Sequence, residues 1–210
     1  MTHFFGIVLV PCDTPDLYAA VQKAMEQYDE NRAVPSYRFY PDAEEIRRMR
    51  EWYKTDDLRQ LARYAYEWDG DESGDVDENG RLYFMSRRNP EGKWDYWLIG
   101  GSWYGEMRKK LVDFRYESDP LPDERERMMR DNSILVRHID HTVHCRVVVT
   151  PDGSWHQYDE SWVACPSWQT ASHDAVDEED ERLRTLWYAD VDELLRHCTQ
   201  CIAIGLDIHR

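Results

Sequence analysis

Two hydrophobic periods alternate along this chain of 210 residues. Residues 3–10, HFFGIVLV, are almost continuously apolar and predict a buried strand. Thr14 and Pro15 then supply an N-cap and a first-turn proline. Leu17, Ala20, Val21, Ala24, Met25 and Tyr28 recur at helical spacing, so an amphipathic helix is expected over 15–30. Beyond the extended segment PSYRFYP, a helix starting at Asp42 places Ile46, Met49, Trp52 and Tyr53 on one face. A third, capped by Thr55 or Asp56, does the same with Leu58, Leu61, Ala62, Ala65 and Trp68.

The pattern changes in the second half. Residues 81–87 and 96–104 predict two aromatic-rich strands flanking the turn NPEGK, with a further strand running to about Arg115. Residues 122–131, PDERERMMRD, predict a short polar helix with few apolar contacts. Segments 143–149 and 154–158 alternate around Pro151-Asp152-Gly153, the clearest hairpin in the chain. Helices are expected over 178–188 and 191–199, the second opened by Asp190 with Glu193 at capping-box spacing. Residues 201–208 close the chain as a second buried strand.

Strands outnumber those of a simple β-α-β alternation, and at least one pair forms a hairpin. The expected class is therefore α+β, a mixed and mainly antiparallel sheet with helices packed largely on one face. The first and last strands are the most continuously apolar and are expected as central neighbours. One domain over 1–210 is expected, interrupted by an acidic turn at 69–80 and an irregular loop near 160–176 that contains Cys165, Pro166 and Trp168.

Charge narrows the function. Asp and Glu number 42 against 26 Lys and Arg, a formal net charge of −16, which repels phosphates and argues against direct nucleic-acid or membrane-surface binding. It suits a protein that imitates nucleic acid before a nucleic-acid-binding partner. The opening apolar run lacks a basic leader and meets a proline, so it reads as a strand and not as a signal or membrane segment. Cytoplasmic placement follows, and the five cysteines at 12, 145, 165, 198 and 201 fit reduced thiols there.

The segment NPEGKWDYWLIGGSWYGE at 89–106 holds three tryptophans, two tyrosines and a Gly-Gly pair in eighteen residues. As architecture, Trp94, Trp97 and Trp103 pack the sheet against helices, Asp95 caps a turn, and Gly100 and Gly101 permit a bulge. This reading carries the greater weight. As a binding site, Trp94, Tyr96 and Trp103 line a groove floored by Asp95 and suited to a planar or cationic ligand. Alternation puts Tyr96 and Trp97 on opposite faces, so at most half the rings share one surface.

The segment from Lys93 through Trp103 resembles a box of phage and prophage proteins, N-P-x-x-K-W-D-W-Y-x-I-G-G-R-W. TPDGSW at 150–155 is similar to a later hairpin of that family, and Asp207-Ile208-His209 to its terminal D-C-H. The resemblance covers most of the chain loosely and implies a phage-associated origin, in a bacterial host cytoplasm, without bringing an activity. Ser102 stands where the family has arginine and Ile208 where it has cysteine. An anion site built on that arginine would lack its guanidinium fork here.

Two clusters bear on metals. Asp75-x-Asp77-x-Asn79-Gly80-x-Leu82 follows the first eight positions of a calcium loop, but Ser86 replaces the bidentate glutamate. Asp71 or Glu72 would have to fold back to complete the site. An Asn-Gly hairpin turn is the favoured reading. His138, Asp140, His141, His144 and Cys145 crowd within eight residues, yet a strand would send His144 and Cys145 to opposite faces, leaving only one to join His141 on zinc. Cys198 and Cys201 form a C-x-x-C whose first member falls on the apolar helix face with Leu194 and Leu195. No cofactor is predicted.

Phosphate-loop, dinucleotide, nucleophile-elbow and zinc-protease signatures are all missing from the sequence. The expected function is a non-catalytic phage accessory protein that binds or inhibits a host or phage protein, with Trp94, Asp95, Tyr96, Trp97, Gly100, Gly101 and Trp103 as the binding residues. The alternative is a metal-dependent enzyme using the His138 to Cys145 cluster or the loop at 75–80.

Overall fold

A computed structural model gives the protein's structure, described here for residues 3–69, 74–107, 124–139, 142–158 and 173–210. The elements in chain order are β1 (His3–Pro11), α1 (Leu17–Glu26), β2 (Tyr37–Phe39), α2 (Ala43–Tyr53), α3 (Leu58–Asp69), β3 (Gly74–Val76), β4 (Leu82–Ser86) and β5 (Tyr96–Ile99). They continue with α4 (Glu124–Asp131), β6 (Ser133–Leu135), β7 (Val147–Val149), β8 (Trp155–Gln157), α5 (His173–His197) and β9 (Cys201–His209). The fold is α+β with mixed, mostly antiparallel sheets. Two compact units emerge: residues 1–29 with 93–210, and the intervening stretch 30–92.

The larger unit is built on a six-stranded sheet in the order β5-β9-β1-β7-β8, with β6 also on β9. β1 and β9 pair antiparallel over nine positions, from His3 opposite His209 to Pro11 opposite Cys201, at the centre of the sheet. Their continuous apolar sequence follows from burial on both faces. β5 and β6 share the other edge of β9, β5 along Leu206 to His209 and β6 along Ile202 to Ile204. Gly205 lies between them, its carbonyl accepting from Gly100 N–H at 2.9 Å and its N–H donating to Asn132 O at 2.8 Å. Among the described strands, β1 and β7 are the pair that runs parallel. The expected hairpin is present as β7 and β8, with Val149 opposite Trp155.

Strand alternation divides the core in two. Phe5, Ile7, Leu9 and Ala203 join Val148 and the α5 residues Trp187, Val191 and Leu195 on one face. Val8, Val10, Ile204, Leu206 and Ile208 join Val21 and Met25 of α1 on the other, where Met128 and Met129 of α4 also pack. Helices on one face thus describe α1 and α4, while α5 takes the opposite side.

Local chemistry moves several expected boundaries. α1 is capped by Asp16, whose carboxylate accepts the Ala19 N–H at 2.9 Å, while Thr14 N–H closes a turn onto Pro11 O at 3.1 Å. α5 is one helix where two were expected. Asp190 lies in its interior because Trp187, Val191 and Leu195 continue a single apolar stripe across that point. α4 has more apolar contact than its polar sequence predicts, since its two methionines reach the core and Asp131 at its end is buried. β5 stops at Ile99, where Gly100 turns to φ +74° and a 3₁₀ turn over Gly101–Trp103 follows. The strand expected towards Arg115 and most of the loop near 160–176 lie outside the described residues.

The smaller unit pairs β2 and β3 with β4 and packs Leu61 and Ala62 of α3 on Leu82, with Ile46, Met49, Tyr53, Leu58 and Phe84 around them. Asp42 and Glu45 cap α2 reciprocally, each side chain accepting the other's backbone N–H at 2.8 Å. α3 is capped by Asp57, one residue beyond the expected Asp56, through the Arg59 N–H at 2.9 Å.

Candidate functional site

The three tryptophans of the box are packing residues. Trp94 is 8% exposed and its indole N–H donates to Met25 O at 3.1 Å. Trp97 is half-buried against the α1 side of the core, its ring 5.9 Å from Tyr18. Trp103 is half-buried on the opposite side and stacks on Phe5 at 6.0 Å. The large apolar side chains that the box presents to solvent are Tyr96 and Leu98, 40% and 53% exposed, on the outward alternation of β5.

Three segments far apart in sequence meet beside Tyr96. Along one face of β1 the side chains run Leu9, Ile7, Phe5 and then His3, so the apolar core gives way to an imidazole at the strand's start. Asp207 and His209 occupy the same alternation of β9, and Tyr96 and His209 are paired in register, as are His209 and His3. The rings therefore form a row across three strands. Tyr96 stacks on His209 at 4.5 Å, and His3 stands edge-on to His209 at 4.8 Å.

Each histidine has its own carboxylate. His209 Nδ1 lies 2.5 Å from Asp95 Oδ1, which also accepts the Tyr96 backbone N–H at 2.7 Å. His3 Nδ1 lies 3.0 Å from Asp207 Oδ1, and its Nε2 lies 3.2 Å from the Tyr96 hydroxyl. Asp207 Oδ2 accepts the Ser102 backbone N–H at 2.9 Å. Burial works to raise the Asp207 carboxyl, but Ser102 N–H, His3 and the Ser102 hydroxyl outweigh it and hold the group below the usual carboxylate range. For Asp95, burial is likewise outweighed by His209 and the Tyr96 N–H. Asp207 and His209 are almost fully buried, while His3 and Tyr96 reach solvent.

The Gly-Gly pair makes this approach possible. Gly101 sits at φ +47°, and a Cβ there would collide with the Asp207 side chain; Gly100 at φ +74° lies against Asn132. Asn132 is buried, its Oδ1 accepting the Gly105 N–H at 2.5 Å and its Nδ2 donating to Met128 O at 2.8 Å. Tyr104 O–H donates to buried Asp131 nearby. Ser102 uses backbone and hydroxyl to hold Asp207.

His3, Asp207 and His209 were not among the expected binding residues. Asp207 and His209 carried a signal in the terminal D-x-H, whose period of two sends both side chains to one face. His3 carried none.

The metal candidates fall elsewhere. Asp77 Oδ1 accepts Asn79 N–H at 2.9 Å and Arg81 N–H at 2.8 Å, and the Arg81 backbone N–H is the main reason its carboxyl lies below the ordinary range. Asp75 Oδ1 accepts the adjacent Val76 N–H at 2.8 Å. With Gly80 at φ +78°, the segment is the hairpin turn between β3 and β4. His138 is exposed, and exposed His144 stacks on Tyr188 of α5 at 4.3 Å. Cys145 points inward, its thiol pushed up to about 12 by burial. Asp71, Glu72, Asp140 and His141 lie outside the described residues. Among the described residues no group of three or more His, Cys, Asp or Glu is arranged to hold a metal ion.

Fold and site together define an α+β protein with two Asp-His pairs flanking an exposed tyrosine at a sheet edge. Compared with family models, curated proteins and solved structures, the chain matches none. Among the described residues no helix is long and apolar enough to cross a membrane.

Proposed function

We propose that this protein is a phage or prophage accessory protein that acts in the bacterial cytoplasm by binding and inhibiting a host or phage protein that itself binds nucleic acid. The observation that supports this most is the solvent-facing pair Tyr96 and Leu98 on β5, at one end of the sheet order, in a chain carrying −16. A tyrosine held by stacking on His209 loses little freedom when a partner covers it, which suits an interface hot spot. The acidic excess speeds encounter with a basic surface and competes there with phosphate.

The binding surface is narrower than the whole aromatic box, because the indoles serve the core. Replacing Tyr96 and Leu98 together by alanine is expected to weaken partner capture by about 30-fold or more, the scale of a hot-spot loss near 2 kcal/mol. The melting temperature should stay close to wild type. Affinity capture from host cells, repeated with duplex DNA as competitor, tests this. Undiminished capture by the folded double variant, or a partner indifferent to the competitor, would refute it.

A further inference from the structure

We propose that Tyr96 Oη is a nucleophilic acceptor site for a neutral activated acyl group, with His3 as its general base and Asp207 as the residue that positions His3. The three side chains form an unbroken chain: Asp207 Oδ1 to His3 Nδ1 at 3.0 Å, and His3 Nε2 to Tyr96 Oη at 3.2 Å. An ionised carboxylate only accepts hydrogen bonds, so the proton on His3 resides on Nδ1 and the Nε2 lone pair faces the phenol O–H. This is the arrangement in which a base takes a proton from a hydroxyl while a third group orients the base. Asp207 is itself fixed, by Ser102 N–H at 2.9 Å and by the close approach of Gly101.

Tyr96 is held as well as based. Stacking on His209 at 4.5 Å, with Asp95 securing His209, fixes the ring, and 40% exposure leaves Oη open to an incoming group. Charge selects that group. The net charge of −16, with Asp95 and Asp207 at the site, disfavours a phosphoryl donor and leaves a neutral acyl donor as the matching class.

In the transfer, Oη attacks the acyl carbon and the phenol proton passes to His3 Nε2, while Asp207 stabilises the imidazolium. The bond from acyl carbon to leaving group breaks, and the leaving group departs with the electron pair and takes the proton from His3. The product is an O-acyl tyrosine and a neutral His3. A single stoichiometric transfer of this kind is separate from partner binding, since Tyr96→Phe removes the acceptor oxygen and keeps the ring.

N-acetylimidazole, a neutral acyl donor, is the probe, with site-resolved acetylation rates read by peptide mass spectrometry. Tyr64 is an internal standard: it is 41% exposed, stacks on Tyr53 at 5.2 Å, and belongs to a unit whose own sequence contains no histidine. Tyr96 is expected to react about 100-fold faster than Tyr64, the low end of general-base acceleration. His3→Gln, a change at a side chain 43% exposed, should bring Tyr96 down to the Tyr64 rate. Equal rates in the wild type, or an advantage that survives His3→Gln, would overturn the proposal. Should His3→Gln raise the acetylation rate of buried Tyr28, in the same unit as His3, a sign of unfolding, Asp207→Asn is judged by the same comparison.

Discussion

Replacing Gly101 by alanine should cost far more than replacing Gly80, although both glycines adopt a positive φ. At Gly80, φ is +78° and nothing lies within 4 Å of an added Cβ, so only the backbone penalty applies, about 1 to 2 kcal/mol. At Gly101, φ is +47° and the added carbon would collide with the Asp207 side chain, which must move. Its movement breaks the 2.9 Å bond from Ser102 N–H and the 3.0 Å contact with His3. Hydrogen bonds to a charged group are worth about 1.5 to 3 kcal/mol each, so a further loss of about 2 to 4 kcal/mol is expected after partial relaxation. Hydrogen exchange measures this without mixing the units, by following the slowest amides of β1 and β9 for Gly101→Ala and those of β4 for Gly80→Ala. If the two substitutions cost the same, Gly101 is not there to admit Asp207, and the site geometry argued above fails with it.

Two further outcomes follow from the same surroundings. Asp95 and Asp207 are both held below the ordinary value of 3.8, so each binds a proton more readily in the unfolded chain; their stabilisation is complete above that value and is lost as pH falls through the lower folded values. Acid unfolding should therefore begin near pH 4 and be shallower in Asp207→Asn; parallel wild-type and variant curves would contradict the pairing. Asn132→Ala strands the buried Gly105 N–H, while the Met128 carbonyl keeps the backbone N–H of residue 132, and is expected to cost about 1 to 3 kcal/mol in denaturant unfolding; no measurable loss would show that water replaces the amide.

Hydrophobic patterning by itself determined the α+β class, the central pairing of β1 with β9 and the β7-β8 hairpin, while the box indoles could be read either as packing or as binding residues. Each of the first three depends on residues whose burial follows from local period: a strand apolar on both sides must lie inside. The Asn79-Gly80 turn was legible for the same reason, since its chemistry is complete within five residues. Cap positions and the unbroken α5 were less so, because several polar residues compete for a cap and the apolar stripe past Asp190 decides only when β1, β7 and β9 lie beneath it.

The site itself was decided by tertiary structure. His3 and Asp207 are 204 residues apart and Asp95 and His209 are 114 apart, so neither pair leaves a periodic trace in the sequence. They meet because β9 returns antiparallel between β1 and β5 in the one register that sets Tyr96, His209 and His3 side by side. A slip of one residue would send those side chains to the opposite face. That register is set by the nine-residue antiparallel pairing of β1 with β9, most of whose positions are apolar core residues.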